Sequence, residues 1–174
     1  MRRISKRLRQ TAFHESGHAV IARVLTLDCG GASVEADHEC AGHIIINEPF
    51  ACGRAWEQRG KVRENDAVFH ARIIAYMAGA ESAELLGDVR HAGDDYDRHQ
   101  IALMAEQLQS ADESWHRIEA RLRAMTRMLV RRHRALIDRK TLSREELDAL
   151  VGRGVDDVKV NAPFLLAMHR ERLT

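Results

Sequence analysis

The chain has 174 residues, 45% of them hydrophobic, and 27 Lys plus Arg nearly balance 26 Asp plus Glu. That length predicts one domain with a core large enough to stand without disulfides, and the balance excludes a global field toward nucleic acid or acidic lipid. No apolar run approaches the roughly 18 residues of a membrane span, and the basic start Met1-Arg2-Arg3-Ile4-Ser5-Lys6-Arg7 leads into no signal-peptide core, so a soluble cytoplasmic protein is expected.

Residues 1–10 read as a basic N-terminal arm. A first helix follows from about Arg9 to Thr26, with Ala12, Ala19, Val20, Ala22, Val24 and Leu25 as its apolar face and the turn Asp28-Cys29-Gly30-Gly31 as its end. Within it stands His14-Glu15-Ser16-Gly17-His18. Positions i and i+4 of a helix lie one above the other, so both imidazoles can converge on one ion, while Glu15 sits about 100° round the helix, beside the ion. A catalytic zinc needs three protein ligands, an open position for water and a carboxylate to take the water's proton. This motif supplies two ligands, His14 and His18, and the base, Glu15.

Next comes the one strand-like region, Ala32 to Glu35 and His43 to Asn47, in which Ile44, Ile45 and Ile46 are β-branched and Pro49 stops the run. It predicts a small β-sheet or hairpin after the first helix. Everything downstream reads helical, which makes the fold class mainly α. Phe69, Ile73, Tyr76, Met77 and Ala80 mark a helix from about Asn65 to Leu86; Asp88 to Asp94 is a loop; Ile101, Met104 and Leu108 line a helix from Asp95 to Gln109. Trp115, Ile118, Leu122, Met125, Leu129 and Leu136 form one long helix, and Ser143-Arg144-Glu145-Glu146 is a capping box for a short one. Phe164 to Leu173 allow a final amphipathic turn or two. The arginines between Arg121 and Lys140 read as a solvated helix face, with no nucleic-acid-binding motif among them.

Cys29, Cys40 and Cys52 are odd in number and contain no C-x-x-C pair, which fits a reducing compartment and small residues in and around a sheet; a second metal site with His38 and His43 is the alternative. For the third ligand of the His14 and His18 site the residues leave several choices. The metzincin extension is excluded, because Ile21 and Val24 stand where it requires glycine and histidine. Glu81 or Glu84 on the next long helix, or an aspartate of Gly93-Asp94-Asp95-Tyr96-Asp97, could complete the set.

The order H-E-x-G-H, then Ala78-Gly79-Ala80-Glu81-Ser82-Ala83-Glu84, then an aspartate-bearing loop that opens a helix, resembles the peptidase domain of the FtsH family of zinc metalloproteases. Lys140-Thr141-Leu142-Ser143-Arg144-Glu145-Glu146-Leu147 is similar to the end of that family's closing helix, so the likeness runs from Thr11 to Gly152. It implies a metallopeptidase domain over 11–152 with a C-terminal tail over 153–174, one zinc ion, and Asp95 as the third ligand. Asp94 is the neighbouring choice, and Asp94 or Asp97 would then orient a ligand histidine. The chain shows neither the membrane helices nor the G-x-x-x-x-G-K-[ST] loop of the family's ATPase module. The activity implied is zinc-dependent hydrolysis of peptides or unfolded chains, lying beside the strand near His43 to Asn47. A separate ATPase partner and a homo-oligomeric ring of six are implied partners. The alternative is a catalytically idle helical interaction module derived from such a peptidase.

Overall fold

The computed structural model describes residues 6–33, 43–60, 65–84, 94–108 and 114–138. Six helices and two strands follow one another in the order α1 (Lys6–Val24), β1 (Cys29–Ser33), β2 (His43–Ile46), α2 (Pro49–Gln58), α3 (Asn65–Glu84), α4 (Asp94–Gln107), α5 (Trp115–Arg132) and α6 (Arg134–Asp138). The described part is mainly helical. β1 pairs antiparallel with β2, Cys29 opposite Ile46 and Ser33 opposite His43, with an irregularity between Gly30 and Ser33. Among the described residues no helix is long and apolar enough to cross a membrane.

α1 is the centre of the molecule. Every residue from Ala12 to Arg23 is buried, so this helix has no solvated face over three turns, and the sheet, α3, α5 and α6 all touch it. A helix covered on all sides is normally apolar throughout. Here Gln10, His14, Glu15, Ser16, His18 and Arg23 are buried with it. Burying such groups without partners costs on the order of 1–3 kcal/mol each; the histidines find partners inside the fold, whereas the Ser16 hydroxyl has no hydrogen-bond partner among the described residues.

α1 and α3 approach most closely where Gly17 lies against Ser82 and Ala78. A Cβ at position 17 would stand 2.5 Å from the Ala78 carbonyl oxygen and closer still to the Ser82 hydroxyl. The glycine therefore sets the distance between the two helices that carry most of the site. Around this contact Ile21 on α1, Ile73 and Met77 on α3, Ile118, Leu122 and Val130 on α5 and Ile137 on α6 close one continuous core.

α1 ends by a doubly bonded turn: the Leu27 amide donates to the Ala22 carbonyl and the Thr26 amide to the Arg23 carbonyl. This arrangement puts the intervening residue in the left-handed region, where glycine is usual. Thr26 occupies it at φ 62°. The indole of Trp56 on α2 donates to the Thr26 carbonyl at 2.8 Å and holds the turn in place, while Leu27 is driven into the core.

Several boundaries differ from the sequence expectation. α1 starts at Lys6, so residues 6–10 of the expected basic arm are helix. Pro49 ends the strand as expected but also opens α2, since proline at a first helical position gives up an amide that has no helical partner anyway. The single long helix expected from Trp115 to Leu136 is two: at His133 the chain leaves helical geometry, and its carbonyl restarts the ladder by accepting from Leu136 and Ile137. The expected helices at Ser143 and Phe164, and the expected loop from Asp88 up to residue 93, lie outside the described residues.

Gly17→Ala should destabilise the protein by roughly 1–3 kcal/mol through overpacking, although alanine is the better helix former by about 1 kcal/mol. Urea unfolding at equilibrium reads the difference, and a stabilised variant would refute the close-contact account.

Candidate metal centre

α1 presents His14 and His18 on one face toward α3 and α4. His18 Nδ1 donates to the main-chain carbonyl of Ala75 at 2.8 Å, which leaves Nε2 of the neutral ring with only its lone pair. That Nε2 faces His14 Nε2 at 2.9 Å and Asp97 Oδ2 at 3.1 Å, and His14 Nε2 lies 3.0 Å from the same carboxylate oxygen. The three atoms form a nearly equilateral triangle in the core, for His14, His18 and Asp97 are all buried. Gly79 on α3 is the floor beneath the rings. A Cβ there would overlap His18 Nε2 and Cε1 and stand 2.8 Å from His14 Cε1.

Separations of about 3 Å between such atoms are met either by ring protons in hydrogen bonds or by a shared cation. A tetrahedral zinc at about 2.0–2.1 Å from each ligand separates its ligand atoms by about 3.3 Å, so the triangle needs to spread by only a few tenths of an ångström. Two imidazoles and a carboxylate are also the donor chemistry of a divalent transition metal. His14, His18 and Asp97 are the group among the described residues able to hold a metal ion, and they fit one.

The charges carry the same message. Burial works against a charge on His18, but the Asp97 carboxylate, its hydrogen bond, Glu15 and the Ala75 carbonyl outweigh it and push the ring up to about 9. Asp97 is desolvated too, yet His18 and the two imidazole hydrogen bonds hold its carboxyl well below the usual carboxylate range. With no metal, a proton on the imidazoles supplies the missing positive charge. Glu15, next to His14 on α1 and buried, is pushed up to about 7 by burial, against the pull of His18 and with Asp97 adding to the rise.

Of the residues expected from sequence, the structure brings His14, Glu15 and His18 into this region and leaves Asp95 out. Asp95 is exposed on the first turn of α4. The correction has a simple geometric cause: two residues along a helix are about 200° apart, so Asp95 and Asp97 cannot both face α1. The signal for Asp97 was available. It continues the stripe of Ile101, Met104 and Leu108 by one turn toward the N-terminus, and all but the half-buried Ile101 are buried. A carboxylate on the apolar stripe of a helix needs an internal partner.

The other candidates are spent elsewhere. Glu81 is buried but accepts from Arg127 Nε at 3.0 and 3.1 Å, and Glu84 is exposed at the end of α3. Cys29 and Cys52 are free thiols; burial pushes the Cys29 thiol up to about 11 and raises that of Cys52 as well, which disfavours the thiolate a metal would need. His43 is exposed, and Cys40 and His38 lie outside the described residues. Sequence reasoning also passed over Tyr76 as a site residue. Its ring stands edge-on to His18 with centroids 6.2 Å apart, and its hydroxyl accepts from Arg72 Nη2 at 3.3 Å.

No protein-family model, no curated protein and no solved structure matches this chain.

Asp97→Asn should lower zinc affinity by more than the roughly 10- to 100-fold that follows loss of an orienting group alone, whereas Asp95→Asn should leave it unchanged. Competition with a fluorescent chelator measures both, and equal losses would return the third ligand to doubt.

A pH dependence follows from the same charges. In the metal-free fold Glu15 keeps its proton from its ordinary 4.5 up to about 7, and His18 keeps its own from 6.5 up to about 9. A fold that binds more protons than the unfolded chain loses stability as pH rises. Asp97 acts in the opposite sense, adding stability above its ordinary 3.8 that fades as pH falls further. Chelator-treated protein should therefore melt at progressively lower temperature from about pH 5 to about pH 9. A metal ion held by these ligands would have to displace the His18 proton, so the gain in melting temperature at saturating zinc should widen across that range. Differential scanning calorimetry checks it, and a gain that narrows with pH would contradict the assignment.

Proposed function

We propose that this protein is a zinc-dependent metallopeptidase of the FtsH-like type, with His14, His18 and Asp97 as the ion's ligands and Glu15 as the general base. The single observation that carries the reading is the buried triangle of His14 Nε2, His18 Nε2 and Asp97 Oδ2 with the buried carboxyl of Glu15 next to His14 on α1. A structural metal site has no use for such a group, because it closes its fourth position with a further ligand.

A zinc ion held there supplies Lewis acidity toward a water molecule and a peptide carbonyl. The remaining chemistry belongs to the chain. A Glu15 carboxylate oxygen would accept the water's proton and return it to the leaving amine. Ala75 fixes the tautomer of His18 through its carbonyl, so the same nitrogen always faces the ligand position. Gly79 keeps α3 out of the space the rings require. Burial of His14, Glu15, His18 and Asp97 excludes bulk water and strengthens each of these interactions.

Support for the family likeness comes from the order of the motifs in the sequence and from the use of the Ala78-Gly79-Ala80 element against the histidines. The third ligand departs from that likeness by two positions. A cytoplasmic location, a substrate of peptides or loose chains, a partner ATPase and a ring of six belong to the same proposal and rest on the resemblance alone.

Glu15→Gln tests the function directly. Zinc content and the circular dichroism spectrum should match the parent, while hydrolysis of a fluorogenic peptide falls by about 10²–10⁴-fold. Full activity in this variant would remove Glu15 from the mechanism, and chelator-resistant activity in the parent would remove the metal.

A further inference from the structure

Arg72 on α3 is a buried cation that the fold leaves without a counter-charge. The residue is 5% exposed, and its Nε and Nη1 find no hydrogen-bond partner. Nη2 donates at 3.3 Å to the hydroxyl of Tyr76, an uncharged acceptor, and the guanidinium carbon stands 5.6 Å from the centre of the same ring. Among the described residues no carboxylate pairs with it. A guanidinium does not give up its proton in a protein, and a charge in the interior is normally paired. Departures from that rule are expected where function requires them.

The position of Arg72 gives its charge a use. Tyr76 stands edge-on to His18 with ring centroids 6.2 Å apart, so Arg72 is one side chain removed from the donor group. Tyr76 also lines a cleft of about 260 Å³ between α3, α4 and α5, in whose walls stand Asp97, Arg98, Glu119 and Arg123. Both acids of the cleft are engaged, Asp97 with the imidazoles at 3.0 and 3.1 Å and Glu119 with Arg123 at 2.9 Å. The Tyr76 oxygen accepts from Arg72, and its own proton has no acceptor among the described residues. A phenol held in this way has a proton to give to a ligand, and the uncompensated guanidinium beside it makes an anion the ligand that gains most.

We propose that Tyr76 and Arg72 form a receptor for a carboxylate of the substrate, the Tyr76 hydroxyl donating to it and the Arg72 charge compensating it, with Arg98 and Arg123 in the walls of the cleft through which it enters. The inference rests on the peptidase reading above and names its substrate class, peptides that carry a carboxylate close to the scissile bond. A peptide residue spans at most about 3.6 Å, so about two residues bridge the 6.2 Å between the His18 and Tyr76 rings. A free C-terminus and an acidic side chain both meet that requirement, and the chemistry of recognition is the same for each.

The receptor uses no metal, so binding is read by titration calorimetry on the full chain both chelator-treated and loaded with zinc. Acetyl-trialanine is compared as the free acid and as the C-terminal amide, and a second pair of peptide amides ends in Glu or Gln. The parent should bind the carboxylate member of at least one pair about 10- to 100-fold more tightly, the scale of one hydrogen bond to a charged group. The pair that shows the preference identifies the source of the carboxylate. Arg72→Met should abolish the preference and leave the melting temperature of the unliganded protein unchanged or raised, because it deletes an unpaired buried charge. Tyr76→Phe should abolish it as well and serves if the first variant folds poorly. Equal affinity within both pairs in the parent overturns the receptor, as does a preference that survives both substitutions. A carboxylate preference in zinc-loaded protein that cuts no peptide overturns the peptidase reading instead and leaves the receptor standing.

Discussion

Two imidazole nitrogens and a carboxylate oxygen lie about 3 Å from one another in the middle of a helical core, and this crowding of lone pairs governs the rest of the structure. The atoms repel one another unless a ring proton or a cation lies between them. Pulling the groups apart would free them of that demand, but α1 is enclosed on all sides and α3 is pressed against it at Gly17, so the donors cannot move away. The fold therefore keeps together a group of donors that could hold a metal ion. Glu15 adds a further buried acid beside it, which makes the centre of α1 the most polar part of the interior.

The supporting architecture follows from holding that centre still. Gly17 and Gly79 let backbone come close where any side chain would intervene, one against α3 itself and one against the rings. Asp97 arrives on α4, whose apolar stripe docks it at the required depth. Thr26 tolerates a left-handed backbone at the end of α1, a conformation that costs a β-branched residue roughly 1–2 kcal/mol, because Trp56 and Leu27 secure the turn on both sides. Glu81 and Arg127 tie α3 to α5, which engages a carboxylate that would otherwise be a rival to Asp97.

Much of this could be read from residue order. The i, i+4 histidines and the intervening glutamate identify themselves, because helical periodicity alone puts them together, and the helices at Asn65, Asp94 and Trp115 follow their apolar repeats closely. Asp95, chosen by likeness to a family pattern, lies outside the donor group, because the choice between Asp95 and Asp97 depends on rotation about α4, which the stripe through Ile101, Met104 and Leu108 encodes. α2 was missed because Pro49 reads equally as the end of a strand and the start of a helix. The break at His133 carries no proline or glycine and no pattern change that a local reading could find. Gly79 is of another kind: its sequence neighbours say nothing about imidazoles on a different helix, so its role exists only in three dimensions.

The bond between His18 and Ala75 has an unusual genetic consequence. Its acceptor is a main-chain carbonyl, so no substitution at position 75 can delete it, and a scan of side chains would report that residue only for its size. The orientation of His18 is instead tied to the relative register of α1 and α3. A small slide of one helix along the other would break the hydrogen bond and release the ring to its other tautomer. Any affinity of this group for a metal ion would thus be a gauge of helix alignment, and mutations far from His14, His18 and Asp97 would alter it whenever they shift the two helices against each other.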